Sequence, residues 1–180
     1  MHKISALTPV LACALGLLAA CHAHRDTAPV ASATAIPTPS IELREPRPGL
    51  YTAAQPAAAD WSTIAARGVG TVIDLRAPGE LKDRDEAAEV RAAGMQYIAI
   101  PVAGAGGIDD ANANRLRKAL EAADGPVLVH CASGNRVGGL LALMQARSGT
   151  MTTEQALEFG RSAGMGSTEA RVRTLLDAGE

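Results

Sequence analysis

The chain has 180 residues, a formal net charge of -2 at pH 7, and 47% hydrophobic and 20% charged residues. This length suits one domain with a sizeable core. The near-neutral charge provides no overall basic field, which argues against nucleic acid as a partner.

Residues 1–20 have the features of an export signal. An apolar stretch over 6–20 follows a basic residue, and it is too short and alanine-rich to be read as a membrane span. Its end, "LAAC", resembles the lipobox of bacterial lipoproteins. That resemblance implies that Cys21 is lipidated and anchors the chain at the periplasmic side of a bacterial membrane, and His22 after it implies the outer membrane. The alternative is an ordinary signal cleaved near Ala23, with Cys21 incidental.

Cysteine usage then singles out one residue. In an exported lipoprotein Cys13 leaves with the signal and Cys21 carries lipid, so Cys131 is the only free thiol. An intramolecular disulfide is therefore not expected. A solitary thiol in an oxidising compartment is either buried and inert or reactive.

Residues 21–47 are rich in Ala, Thr, Ser and Pro and are predicted to form a flexible tether, so the folded domain is predicted over 48–180. Apolar runs predict strands, and amphipathic patterns predict the helices between them. This alternation implies an α/β domain with a central, mostly parallel sheet of four to five strands and helices on both faces. The predicted strands are 50–56, 70–76, 95–100 and 126–130; the helices are 58–68, 81–93, 108–125, one beginning near Val137, and two short C-terminal ones, with Ser167 as a cap of the last.

The strand 126–130 passes through the loop "HCASGNR" directly into a helix. The backbone N–H groups of such a loop and the positive end of the helix dipole meet at one point, which forms an anion pocket. The same field stabilises a thiolate, so Cys131 is predicted to be a nucleophile. The guanidinium of Arg136 can fork two hydrogen bonds onto an oxyanion, and His130 is predicted to brace the loop rather than act as a base. The predicted substrate-binding residues are Ala132, Ser133, Gly134, Asn135 and Arg136.

The composition removes other kinds of site. His130 is the only histidine after His24, so a multi-histidine metal site cannot form and a Ser-His-Asp triad would need this residue. The glycines of this stretch are not followed by the lysine of the G-x-x-x-x-G-K-[ST] nucleotide-binding loop, which argues against a nucleotide site of that kind. Neither a metal nor a cofactor is expected. The remaining alternative for Cys131 is a buried structural thiol.

The segments "VLVHCASGNRVGGLLAL", "GLYTAAQP" and "GVGTVIDLR" together resemble the cysteine-dependent protein tyrosine and dual-specificity phosphatases. In particular they resemble the bacterial beta-lactamase hydrolase-like phosphatase family. The resemblance implies a dual-specificity-phosphatase-like fold and a phosphocysteine mechanism. Cys131 would attack phosphorus, the loop amides and Arg136 would hold the oxygens, an aspartate would protonate the leaving alcohol, and water would release phosphate. A phosphorylated protein or a small phosphoester would be the substrate.

Two departures from the family pattern lie in the loop itself. Four residues separate Cys131 from Arg136, where the phosphatases usually have five. The shorter spacing resembles rhodanese-type sulfurtransferases and leaves open a Cys131 persulfide. Val137 replaces the hydroxyl residue that commonly helps the thiolate to leave, so a catalytically degenerate phosphate-binding module is a further alternative.

The third departure concerns the general acid. The loop "VAGAGGIDD" has no carboxylate before Asp109 and Asp110. Asp109 suits a helix N-cap, and Asp110 is the candidate acid. Asp74 and Arg76 end a central strand on the same side of the predicted sheet as Cys131, as pocket-bracing residues or as an ion pair. The other candidate proton donors are Glu80, Asp83 and Asp85.

Overall fold

The computed structural model describes residues 38–178. The predicted signal over 1–20, the predicted lipidation residue Cys21 and the tether up to residue 37 lie outside the described residues. None of the described helices is long and apolar enough to cross a membrane.

Within this range the chain forms strands and helices in a largely alternating order. The strands are β1 (Arg44–Arg47), β2 (Leu50–Ala53), β3 (Thr71–Asp74), β4 (Gln96–Ala99) and β5 (Val127–His130). The helices are α1 (Asp60–Ala66), α2 (Glu86–Ala92), α3 (Asp110–Ala122), α4 (Asn135–Arg147), α5 (Thr153–Ser162) and α6 (Glu169–Asp177), with a short 3₁₀ turn at Ala105–Gly107.

The strands form one sheet in the order β1-β2-β5-β3-β4. Only β1 is antiparallel to its neighbour; β2, β5, β3 and β4 are parallel. The register pairs Ala53 and Asp74 with His130, so the carboxyl ends of three strands meet at one edge. Loops that follow parallel strands gather at this edge, which is where such sheets bind ligands.

The sheet is covered on both faces. On one face, Ile73 and Val129 pack with apolar side chains of α3, α4, α5 and α6. On the other, Val72 and Leu128 pack with Trp61 of α1 and with α2. Because side chains alternate along a strand, β3 and β5 supply both cores, and all their residues are buried. The predicted mostly parallel α/β sheet with helices on both faces is confirmed.

The structure differs from the sequence-based expectations at three places. β1 lies at Arg44–Arg47, inside the segment predicted to be a tether, where it pairs with β2. α2 begins at Glu86 rather than at residue 81, because Asp85 caps it by accepting a hydrogen bond from the Ala88 N–H (3.0 Å). Ser167 does not cap α6, which has Thr168 at its N-cap without a capping side-chain bond.

Candidate active site

The loop after β5 holds Cys131 at the N-terminus of α4. Within residues 38–178 this cysteine has no disulfide partner; it is fully buried, and its Sγ accepts a hydrogen bond from the Gly134 N–H (3.1 Å). Gly134 is the N-cap of α4 and has φ of 84°, a left-handed conformation that glycine adopts without strain. The first turn of α4 thus directs backbone N–H groups, and the positive helix end, toward the sulfur.

Arg136 lies in the first turn of α4 and is held by two loops, the one after β3 and the one after β4. Its Nη1 and Nη2 donate to Oε1 and Oε2 of Glu80, each at 2.6 Å. Nη1 also donates to the carbonyl oxygen of Val102 (2.9 Å). The hydrogen bond to Glu80, and after it the nearby sulfur of Cys131, raise the pKa of Arg136 above its ordinary value. The guanidinium is therefore a fixed positive charge beside the buried thiol.

An open cleft of about 330 Å³ lies in front of this arginine. Asn135 ties one wall to the loop, because its Oδ1 accepts from the Gly166 N–H (2.8 Å) and its Nδ2 donates to Oγ of Ser167 (2.8 Å). Sequence reasoning missed this wall, since the segment between α5 and α6 carried no chemical motif. The cleft is lined by Glu80, Gly104, Ala105, Ser133, Asn135, Arg136, Ser167 and Thr168.

Behind the loop, His130 is fully buried beside a cluster of charged residues. Its Nε2 is 2.9 Å from Oε1 of Glu86, and its ring meets Trp61 edge-on at 6.0 Å between centroids. Arg76 bridges the cluster, with Nη2 2.7 Å from Oδ2 of Asp74 and 3.0 Å from Oε2 of Glu86. The predicted ion pair of Asp74 with Arg76 is thus present, and it lies under His130 rather than in the cleft.

Burial and hydrogen bonding act in opposite directions on Asp74. Burial by itself raises the pKa of this carboxyl, but the hydrogen bond from the Arg76 side chain, the electrostatic influence of the neighbouring His130 and the hydrogen bond from Tyr97 more than compensate. The pKa of Asp74 is consequently lower than usual. Burial likewise opposes the charge of Arg76, yet Asp74 and Glu86 raise its pKa.

Distances alone would allow this cluster to hold a metal ion, since ligand atoms of Asp74, Glu86 and His130 lie within 4.8 Å of one another. The environment of these ligand atoms does not suit a metal ion, however. Arg76 donates to both oxygens of Asp74 and contacts Glu86, whose Oε2 also accepts from Gln55 (2.5 Å). A cation placed here would face the guanidinium of Arg76 at close range, so the three residues form a closed ion-pair cluster.

Asp110, the candidate general acid, is not brought to the loop. Its Oδ1 is 2.8 Å from Nε of Arg147, the last residue of α4. Arg147 lies about 16 Å along the helix axis from Arg136. The expectation for Asp110 is therefore wrong: as the first residue of α3 it pairs with the last residue of α4, at the end of that helix opposite to Arg136, and it does not line the cleft.

The other carboxylates near the sheet edge have separate roles. Asp109 caps α3 by accepting from the Asn112 N–H (2.7 Å), as its position predicted. Asp85 caps α2, and Asp83 is exposed in a left-handed turn with φ of 60°. Among the residues that line the cleft, Glu80 alone carries a carboxyl group.

Comparison with known proteins relates this geometry to a family. Residues 42–148 match the family model described as "Beta-lactamase hydrolase-like protein, phosphatase-like domain". The beta-lactamase hydrolase-like protein of Agrobacterium fabrum is 33% identical over 119 residues, which are 64% of this chain and 27% of that protein. The dual specificity protein phosphatase TpbA of Pseudomonas aeruginosa is 35% identical over 126 residues, 68% of this chain and 55% of TpbA. The chain thus spans about a quarter to a half of these relatives.

Solved structures agree on the fold. A TpbA variant with its cysteine replaced by serine, crystallised with phosphotyrosine, aligns with a TM-score of 0.61 and 27% identity, covering 78% of this chain and 85% of that one. A Neisseria meningitidis protein aligns with a TM-score of 0.65 and 23% identity over 76% of this chain and 97% of its own, which shows the fold alone. With most of the domain matched and the cysteine loop in place, the chain belongs to the phosphatase-like domain family of the beta-lactamase hydrolase-like proteins.

Proposed function

We propose that this chain hydrolyses phosphomonoesters through a phosphocysteine intermediate on Cys131. The observation that carries the proposal is the position of the Cys131 sulfur at the N-terminus of α4, with the fixed guanidinium of Arg136 beside it. A dianionic phosphoryl group is complementary to these donors, and it would be bound where the nucleophile lies.

The residues divide the reaction between them. The Cys131 thiolate attacks phosphorus in line with the leaving oxygen, and the loop amides with Arg136 stabilise the equatorial oxygens. Water then attacks the phosphocysteine, the S–P bond breaks, and inorganic phosphate leaves. The helix dipole and the Gly134 N–H stabilise the departing thiolate, which partly replaces the hydroxyl that Val137 lacks.

The substrate class is proposed as a phosphorylated protein or a small phosphoester. TpbA, crystallised with phosphotyrosine, supports a protein substrate. The cleft itself has small and polar walls, and none of its lining residues is aromatic. A phosphotyrosine ring would therefore find no stacking partner there, so specificity for this residue is not part of the proposal.

The experiment is to mix the full chain with 4-nitrophenyl phosphate, quench it in acid and measure the intact mass. We expect a phosphoryl group on Cys131 and steady release of 4-nitrophenol. Cys131→Ser should abolish both. Arg136→Lys keeps the positive charge but cannot donate two parallel hydrogen bonds to one phosphate, so it should lower kcat/KM about 100-fold or more. Turnover that survives Cys131→Ser contradicts the covalent mechanism.

A second candidate is sulfur transfer through a persulfide on Cys131, favoured by the four-residue spacing between Cys131 and Arg136. A smaller ring of amides suits a single sulfur atom better than a tetrahedral phosphate. With thiosulfate instead of the ester, the Cys131 thiolate would attack the outer sulfur, the S–S bond of thiosulfate would break, and sulfite would leave a persulfide on Cys131. If neither adduct forms but phosphate still binds, the chain is a phosphate-binding module.

A further inference from the structure

The proposed mechanism does not yet name the group that protonates the departing oxygen of the substrate. Alkoxides are poor leaving groups, so hydrolysis of an alkyl phosphate requires a general acid near the bridging oxygen. The loop before α3 contributes only Gly104 and Ala105 to the cleft, and Asp110 lies at the far end of α4. The one carboxyl group among the residues lining the cleft belongs to Glu80.

Glu80 is placed where a phosphate would be bound. Both of its carboxylate oxygens contact Arg136, and Oε1 also accepts from the Ala77 N–H (2.6 Å). Its side chain is 31% exposed, against 11% for Arg136, so the carboxyl faces the cleft while the guanidinium lies deeper. Among the described residues, the hydrogen bonds of Arg136 to Glu80 and to the loop carbonyls run from Nη1 and Nη2 and not from Nε, so the guanidinium keeps donor capacity for a ligand.

We propose that Glu80 is the general acid of this site. The inference rests on the phosphatase function proposed above. As the Cys131 thiolate attacks and the P–O bond breaks, the Glu80 carboxyl gives its proton to the leaving oxygen, yielding the alcohol, phosphocysteine and a Glu80 carboxylate. In the second step this carboxylate takes a proton from the attacking water, and the S–P bond breaks. Inorganic phosphate is released, and the Cys131 thiolate and the protonated Glu80 are regenerated.

Substrate binding itself supplies the acid form. In the free site, the Arg136 hydrogen bond above all, with the Ala77 N–H and the charge of Arg76, holds the pKa of Glu80 below its usual range. A bound phosphate dianion neutralises Arg136 and places negative charge beside the Glu80 carboxyl, next to the Cys131 sulfur. Both changes disfavour the carboxylate, so proton uptake by Glu80 accompanies binding.

The competing explanation is that Glu80 only positions Arg136. The two roles differ in how they depend on the leaving group, because positioning affects every phosphate alike while acid catalysis matters only for basic leaving oxygens. The test compares kcat/KM of the full chain and of Glu80→Gln on three esters of increasing leaving-group basicity: 4-nitrophenyl, phenyl and benzyl phosphate. Asp83→Asn, the same charge change on an exposed residue of the same loop, is the matched control.

We expect Glu80→Gln to act on 4-nitrophenyl phosphate within a few-fold of the unmodified chain and to lose about 100-fold or more on benzyl phosphate. The basic limb of its kcat–pH profile on benzyl phosphate should disappear, whereas Asp83→Asn should keep both the rates and the limb. An equal loss on all three esters, or an unchanged benzyl rate, overturns the proposal while leaving the phosphatase function standing. Absence of turnover of all three esters by the unmodified chain contradicts both.

Discussion

At the scale of single residues, two arginines organise the carboxyl edge of the sheet in different ways. Arg76 is enclosed between Asp74 and Glu86 and is 8% exposed. Arg136 faces the cleft and pairs with the more exposed Glu80. A buried charge is stable only with its partners, whereas a charge at a cleft can exchange one anion for another. The first arginine therefore belongs to the closed ion-pair cluster inside the fold, and the second is the one to which the proposed function assigns the ligand.

Replacing Asp74 with asparagine should destabilise the fold in a pH-dependent way. Because the folded-state pKa of Asp74 is lowered, its contribution is fully present above the unfolded pKa and is lost as the pH falls through the folded value. We expect Asp74→Asn to lose about 3 kcal/mol at pH 7, since it breaks a buried pair. In urea unfolding, this difference should stay constant from pH 7 to about pH 5 and shrink below about pH 4.

The matched control for that experiment is Asp110→Asn. Asp110 makes the same kind of pair with Arg147, but its side chain is 60% exposed. An exposed pair contributes about 0–1 kcal/mol, so this variant should unfold nearly like the unmodified chain at every pH. A pH-independent deficit in Asp74→Asn would contradict the role assigned to its charge.

At the scale of elements, the close packing of α4 against α5 positions the chain that forms one wall of the cleft. Gly138 and Gly160 let the two helices approach, and a Cβ on Gly138 would lie 2.1 Å from the Met165 nitrogen and 2.5 Å from the Gly160 oxygen. These are backbone atoms that cannot move aside alone. The same crossing carries the segment around Gly166 to its hydrogen bond with Asn135.

Gly138→Ala should therefore destabilise the chain, although alanine is the better helix former. We expect a loss of about 3 kcal/mol from overpacking, measured by urea unfolding. Gly106→Ala is the control, because a Cβ at Gly106 would meet no atom of the described residues within 4 Å. Equal stability of the two variants would show that α5 shifts without cost.

Most of these elements could be predicted from the sequence because their apolar patterns are strong. The buried face of α4, with Val137, Leu140 and Met144, follows the helical period that predicts it. β1 could not be predicted, since "REPR" is a polar edge strand whose only reason to form is its pairing with β2. Such a strand depends on tertiary structure and not on its own composition.

At the scale of the whole molecule, the cleft is assembled from segments far apart in the chain. The loop with Cys131 and Arg136 was predictable because strand, loop and helix are consecutive. Glu80 is 56 residues from its partner Arg136, and Ser167 is 32 from Asn135. Sequence alone offered Glu80 as one of several carboxylates, and the structure separates it from the others by bringing it to the guanidinium.

We further propose that this domain is exported and held at a membrane surface by lipid on Cys21, on the basis of the resemblance of "LAAC" to a lipobox. Acyl chains add about 0.8 kcal/mol of membrane affinity per buried CH₂, so more than one chain on a single cysteine gives stable anchoring.

Cys21→Ser should then abolish incorporation of labelled palmitate in a bacterial host and move the chain from the membrane to the soluble fraction. Cys13→Ser, which alters the only other cysteine of the N-terminal segment, should keep both the label and the membrane location. Equal labelling of Cys21→Ser and the unmodified chain would contradict the anchor and favour an ordinary cleaved signal, and the cleft would then act on substrates away from the membrane surface.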